Sequence, residues 1–209
     1  MTDRGDSSRI LCANSFHTTE HICMNTKAIA ADKNQFAGSH GKANLELHKK
    51  LNEYGYKVIS VPIPFGDYVL ITDQLMETIR RRESRSLLKK MDLVGDIKVS
   101  VDLKGGGLDE VAMNIQGKSH DRFRDEAILA QKCGCTLYVL VIDEKIRSVN
   151  DVHTWMSKRK KSKANPGSLQ KAMITMSEKY GIKWRFCTPE SSARAIIYLL
   201  TGIDEGKRG

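Results

Sequence analysis

A chain of 209 residues with 40% apolar content is long enough to bury one core, which predicts a single globular unit. A formal charge of +9 with few aromatics favours a polyanionic partner over an acidic small molecule, nucleic acid first among them. No stretch approaches the length of a membrane span and the N-terminus lacks the basic-then-apolar pattern of a secretory signal, so a cytoplasmic protein without membrane contact is expected, its five cysteines reduced.

Residues 1–26 are polar, rich in Ser, Thr and His, and lack helical or strand periodicity, which predicts a flexible N-terminal tail. Within it, Cys12, His17, His21 and Cys23 offer the donor types of a tetrahedral zinc site at a spacing that matches no common finger, so zinc and a plain tail both stay open. Lys27–Asp32 predicts a first strand. An amphipathic helix with Leu47, Leu51 and Tyr54 at helical spacing follows and closes at Gly55. Val58–Ile63 predicts a second strand, ended at an edge or bend by Pro62 and Pro64. Phe65-Gly66-Asp67-Tyr68 then reads as the turn into a third strand, Val69–Thr72, with Asp67 at its start.

From Leu75 to Met91 the pattern is that of a basic helical insertion carrying Arg80, Arg81, Arg82, Arg85, Lys89 and Lys90, with Leu75, Ile79 and Leu87 anchoring one side. Charge of one sign suits a solvated face and a phosphate-tracking face alike. Strand Ile97–Leu103 leads to Gly105-Gly106-Gly107, either a flexible loop or a place where backbone approaches a ligand; it lacks the trailing Lys-Ser/Thr of a nucleotide-binding loop. Asp121 is expected to cap a helix running to about Lys132, with Phe123, Ala127 and Ala130 on one side. Thr136–Ile142 is a continuous apolar run, as expected of a strand covered on both faces at the centre of a sheet. The basic loop Lys158–Lys163, including Lys160 and Lys161, suits sequence-independent phosphate binding. A helix after Asn165-Pro166-Gly167, a strand over Lys183–Cys187 and a last helix, Ser191–Leu200, complete an alternating α/β order. One domain over 27–203 and a C-terminal tail over 204–209 are expected.

Hydrolysing a phosphodiester at neutral pH needs a metal to polarise the phosphate and lower the pKa of water, with a cation to steady developing charge. Carboxylates and a lysine meet those needs. In Val101-Asp102-Leu103-Lys104 the strand period of two puts Asp102 and Lys104 on one face and turns Leu103 into the core, leaving its backbone carbonyl as a possible ligand. Taken alone, such an Asp-x-Lys is more often a surface ion pair.

Its surroundings change that weighting. Ile29-Ala30-Ala31-Asp32-Lys33-Asn34-Gln35, Gly66-Asp67-Tyr68, Asp102-Leu103-Lys104, Leu108-Asp109-Glu110-Val111-Ala112 and Arg122-Phe123-Arg124-Asp125-Glu126 stand in the order of the motifs of the XPF-type nuclease domain of the PD-(D/E)xK superfamily. His153–Trp155, Asn165–Leu169, Glu178–Ile182 and Phe186-Cys187 resemble its stand-alone phage and bacterial members, so the resemblance spans about Lys27 to Leu200. Three departures stand out: Asn34 and Gln35 replace the family's Arg-Glu, Asp102 replaces its Glu, and the insertion lies where the family has a short turn.

The resemblance implies a restriction-endonuclease-like fold, a central mixed sheet flanked by helices. It also implies a Mg²⁺- or Mn²⁺-dependent DNA endonuclease of a bacterial or phage-infected cell, nucleoid-associated and serving DNA recombination or repair. Asp67 and Asp102 would bind the metal with the Leu103 carbonyl, and Lys104 would orient the attacking water or stabilise the phosphorane. Asp32 either helps through a water or is a turn residue. DNA contacts fall to Arg81, Arg82, Arg85, Arg122, Arg124, Lys160 and Lys161, with Arg122 alternatively pairing with Glu126 four residues on. Asp109 is a possible cap, and His120 and His153 rank below Lys104 as bases. A homodimer is possible. Branched, flapped or junction DNA is the expected substrate; the competing readings are a catalytically inactive nucleic-acid-binding module of the same fold and a sequence-specific restriction-type nuclease.

Overall fold

The computed structural model describes residues 27–36, 38–84, 88–159 and 164–205. The N-terminal tail with Cys12, His17, His21 and Cys23 lies outside the described residues, as do Arg85, Lys160, Lys161 and the end of the C-terminal tail. Among the described residues, six strands form one mixed sheet: β1 Ala28–Asp32, β2 Lys57–Val61, β3 Tyr68–Leu70, β4 Val99–Lys104, β5 Thr136–Ile142 and β6 Lys183–Cys187, in the order β2-β1-β3-β4-β5-β6. β3 runs antiparallel to both neighbours, and the remaining pairs are parallel. The α-helices of the described residues are α1 Gly38–Glu53, α2 Asp73–Glu83, α3 Gly107–Gln116, α4 His120–Lys132, α5 Pro166–Tyr180 and α6 Ser192–Thr201.

Strand alternation divides the interior in two. Val101, Leu103, Tyr68 and Leu140 pack with Leu47 and Leu51 of α1 and Ile196, Ile197 and Leu200 of α6. On the other face, Ala30, Val69, Val139 and Val141 meet Leu75 and Ile79 of α2, Leu108 and Val111 of α3, Phe123 and Ala127 of α4, and Leu169 and Met173 of α5. The polar set of β4, which is Ser100, Asp102 and Lys104, faces this second layer. All three are buried among apolar neighbours, where an ionisable group needs a partner.

β2 is an edge strand, as Pro62 and Pro64 predict. β5 is not the centre of the sheet. It lies one strand from the edge, and its apolar run reflects helix layers on both faces rather than its place in the order. The helix expected over Leu75–Met91 is shorter: α2 is capped by the Thr72 side chain on the Leu75 amide and ends at Glu83, and a separate 3-10 turn covers Lys90–Leu93. The glycines do not simply form a loop. Gly107 opens α3 at φ +64°, where a Cβ would stand 2.9 Å from the Ile142 carbonyl oxygen. This helix has no side-chain cap at its start, which is why the sequence carries no start signal for it. Asp121 does not cap α4; it sits in the first turn, paired with Arg124 at 2.9 Å, behind an N-cap Ser119.

Candidate active site

The turn between β2 and β3 is held by its backbone. Gly66 has φ +70°, and a Cβ there would lie 2.2 Å from the Ser100 hydroxyl, which donates to the Phe65 carbonyl at 2.8 Å. Only glycine meets both demands. The Asp67 amide donates to the Val101 carbonyl and the Asp32 amide donates to the Asp67 carbonyl, each at 2.8 Å, so the residue is laced between β1 and β4. Its carboxylate therefore arrives at the carboxyl end of β4. There Oδ2 accepts the Leu103 amide at 2.8 Å and Oδ1 accepts Gln35 Nε2 at 2.6 Å.

Asp67 and Asp102 act on each other electrostatically at this end of the strand, the charge of Asp102 opposing ionisation of Asp67. Lys104 reaches back along its strand to Asp102, with Nζ 2.8 Å from Oδ1 and 2.7 Å from Oδ2, and lies 5.2 Å from the centre of the Phe123 ring. The period-two reading thus places both residues correctly, though as a buried pair rather than a surface one. Burial alone would lower the Lys104 pKa, but the carboxylates of Asp102 and Asp67 outweigh it and hold the pKa above its usual value. Lys104 is a cation at neutral pH, which suits charge stabilisation and not proton abstraction. The Asp67 pKa is raised, by burial first and by Asp102 second.

A further carboxylate enters from α4. Glu126 accepts the Gly66 amide at 2.5 Å, and its pKa is raised by desolvation and then by Asp102, against the opposing pull of Lys104. Its spacing of four from Arg122 allows the alternative of a pair between them, but the Arg122 charge acts on it more weakly than those of Asp102 and Lys104. The signal that marks it is an acidic residue one place from Ala127 in the apolar stripe Phe123, Ala127, Ala130. Gln35 carries no comparable signal, since nothing local joins it to Asp67.

Asp67, Asp102 and Lys104 are brought together as expected, and the Leu103 side chain is buried in the α1 and α6 core. Asp32 is engaged elsewhere: its carboxylate accepts the amides of Asn34 and Ile63 at 3.1 Å each and pairs with Lys90 at 2.8 Å. Asp109 fastens the Ser157 hydroxyl and the Lys158 amide to α3. Arg81 and Arg122 are exposed. Arg82 pairs with Asp92 at 3.3 Å, and Arg124 is occupied by Asp121 and Asp125. His153 bonds the Asn150 carbonyl, and His120 Nδ1 is buried without a hydrogen bond among the described residues.

The donors suit a hard divalent cation, which takes carboxylate and carbonyl oxygens. Asp102 Oδ2 is buried without a hydrogen-bond partner among the described residues although Lys104 Nζ is near, so it retains a lone pair for a ligand. The repulsion by which Asp102 raises the Asp67 pKa is one that a bound cation would relieve. Among the described residues no three acidic, His or Cys side chains already encircle a metal position; the two carboxylates whose charges act most strongly on Lys104 are Asp102 and Asp67.

No protein-family model matches the chain, and no curated protein matches it. The structure is similar to that of XPF from Aeropyrum pernix, with a TM-score of 0.51 and 16% sequence identity over 85% of this chain and 67% of that one. The fold is therefore restriction-endonuclease-like, a mixed six-stranded sheet flanked by helices among the described residues. Among the described residues no helix is long and apolar enough to cross a membrane.

Proposed function

We propose that the chain is a divalent-metal-dependent DNA endonuclease whose reaction centre is Asp67, Asp102 and Lys104. The observation that carries this reading is the Asp67–Asp102 carboxyl pair beside a buried lysine, at the end of β4 in an XPF-like fold. Asp67 and Asp102 would hold the cation with the Leu103 carbonyl. A bound Mg²⁺ or Mn²⁺ supplies Lewis acidity and a more acidic water.

The chain's own residues supply the rest. Gly66 lets Asp67 approach β4, Leu103 and Gln35 orient its carboxylate by hydrogen bonds, and Lys104, kept protonated, meets the charge that develops on the phosphate. The net charge of +9 favours the phosphate backbone, with exposed Arg81 and Arg122 available for contact. Branched, flapped or junction-bearing DNA is the substrate class favoured by the motif resemblance.

The test is a cleavage panel of linear duplex, flap, fork and four-way junction in Mg²⁺ or Mn²⁺, with Asp102→Asn alongside. Cleavage of branched substrates that Asp102→Asn abolishes is expected. Equal cutting of linear duplex at one sequence would point to a restriction-type enzyme, and salt-sensitive binding with no cleavage in either metal to an inactive module.

A further inference from the structure

Gln35 stands at one of the two positions where the motif of the first strand is altered, and by sequence it reads as a loss. The structure gives it work at the site. Its Nε2 donates to Asp67 Oδ1 at 2.6 Å, and its Oε1 accepts Asn44 Nδ2 from α1, also at 2.6 Å. Asn44 lies nine residues on in the sequence, so this contact ties the turn after β1 to α1 as well as to the reaction centre.

We infer that Asn44 and Gln35 form an amide relay that positions the Asp67 carboxylate for a cation, an inference that rests on the metal-site reading above. The polarity of the relay is set at its inner end. An ionised Asp67 offers only acceptor oxygens, so Gln35 must present its NH₂ there and its oxygen to α1; Asn44 must then present its own NH₂. Each link determines the next. With Gln35 on Oδ1 and the Leu103 amide on Oδ2, both Asp67 oxygens are anchored by one donor each, and each retains a lone pair for a ligand. Gln35 holds the ligand without adding a negative charge to a site that already contains Asp67, Asp102 and Glu126. A positioning residue of this kind acts through the group it orients, and loss of such partners typically weakens metal binding about 10- to 100-fold.

The discriminating variant is Asn44→Asp, which keeps the size of the side chain and reverses its polarity. Gln35 then faces a carboxylate on each side and cannot donate its NH₂ to both while keeping its oxygen clear of both. A relay predicts weaker Mn²⁺ binding by about tenfold, whereas an added negative charge acting merely by attraction would strengthen it. Mn²⁺ affinity is read by calorimetry on the full chain without DNA, and the melting temperature of each variant is recorded without metal. Gln35→Ala, which removes a part-exposed side chain, supplies a second arm if Asn44→Asp does not fold, with the same tenfold weakening expected. Unchanged or tighter Mn²⁺ binding in a folded Asn44→Asp, or unchanged binding in Gln35→Ala, overturns the relay alone. A wild-type chain that takes up no Mn²⁺ overturns the metal-site reading together with it.

Discussion

The Leu103 amide donates to Asp67 Oδ2 at 2.8 Å, which brings the carboxylate of a turn beside that of Asp102 in β4, whose charge raises the Asp67 pKa. Two buried carboxylates side by side resist joint ionisation without a countercharge, and the charge of Lys104 also acts on Glu126. Mg²⁺ is accordingly expected to raise the melting temperature of the wild type. Saturation at 100 times the dissociation constant corresponds to about 2.7 kcal/mol. Asp67→Asn and Asp102→Asn should each lose most of that shift and all cleavage. A thermal shift of wild-type size in Asp102→Asn would remove that residue from the metal site.

Lys104 connects stability to chemistry. It is 6% exposed and its partner Asp102 is 5% exposed, so its removal leaves a buried carboxylate without its cation, a loss of roughly 3–5 kcal/mol. Lys104→Ala is expected to unfold at lower denaturant, to regain part of that stability in Mg²⁺, and to remain inactive. Because the folded pKa is raised, the stability that protonation of Lys104 contributes is present below pH 10.5 and is lost as pH rises through the higher folded value. Denaturant curves with and without Mg²⁺, run beside a cleavage assay, check both parts; full activity in a folded Lys104→Ala would sink the role given to it.

Much of this arrangement is legible in the sequence because it is local. A period of two along Ser100, Asp102 and Lys104 suffices to put the pair on one face, and the Gly-Asp dipeptide marks the turn that brings Asp67. The contacts that complete the site are not local. Gln35 meets Asp67 across 32 residues and Glu126 meets Gly66 across 60, and neither spacing has a periodic signature. The misplacement of β5 has a related cause, since burial on both faces reports the layers that cover a strand and not its neighbours. The start of α3 is hidden because a glycine required by close approach to Ile142 stands where a capping side chain would be read.

Gly66 should tolerate no side chain. A residue other than glycine at φ +70° costs about 1–3 kcal/mol, and an alanine Cβ would also press on the Ser100 hydroxyl at 2.2 Å. Gly66→Ala is expected to lose stability and to displace Asp67, with a corresponding fall in Mg²⁺ affinity. Adding Ser100→Ala should recover the part due to the hydroxyl, but not the backbone part or the tight approach to Val101 at 3.2 Å. A double-mutant cycle in denaturant measures the coupling, and strict additivity would mean that the two residues do not meet as described.

His48 offers a test away from the reaction centre. The ring is 8% exposed, stacks at 4.8 Å on Phe36 and lies with Nε2 3.1 Å from the Tyr68 hydroxyl. Desolvation lowers its pKa below 6.5, because charging the ring inside the α1 packing costs more than charging it in water. The unfolded chain therefore binds this proton first as pH falls. The stability that His48 contributes is complete above pH 6.5 and is lost as pH falls through the lower folded value, at about 1.4 kcal/mol for each unit between the two. His48→Gln keeps a hydrogen-bonding group for Tyr68 and removes the titration. The stability difference between wild type and His48→Gln should thus be flat above pH 6.5 and shrink below it. Background carboxylates titrate equally in both proteins and cancel in that difference. A difference that does not change with pH would mean that the ring charges as readily in the folded chain as in the unfolded one, against the burial seen for it on α1 beside Tyr68.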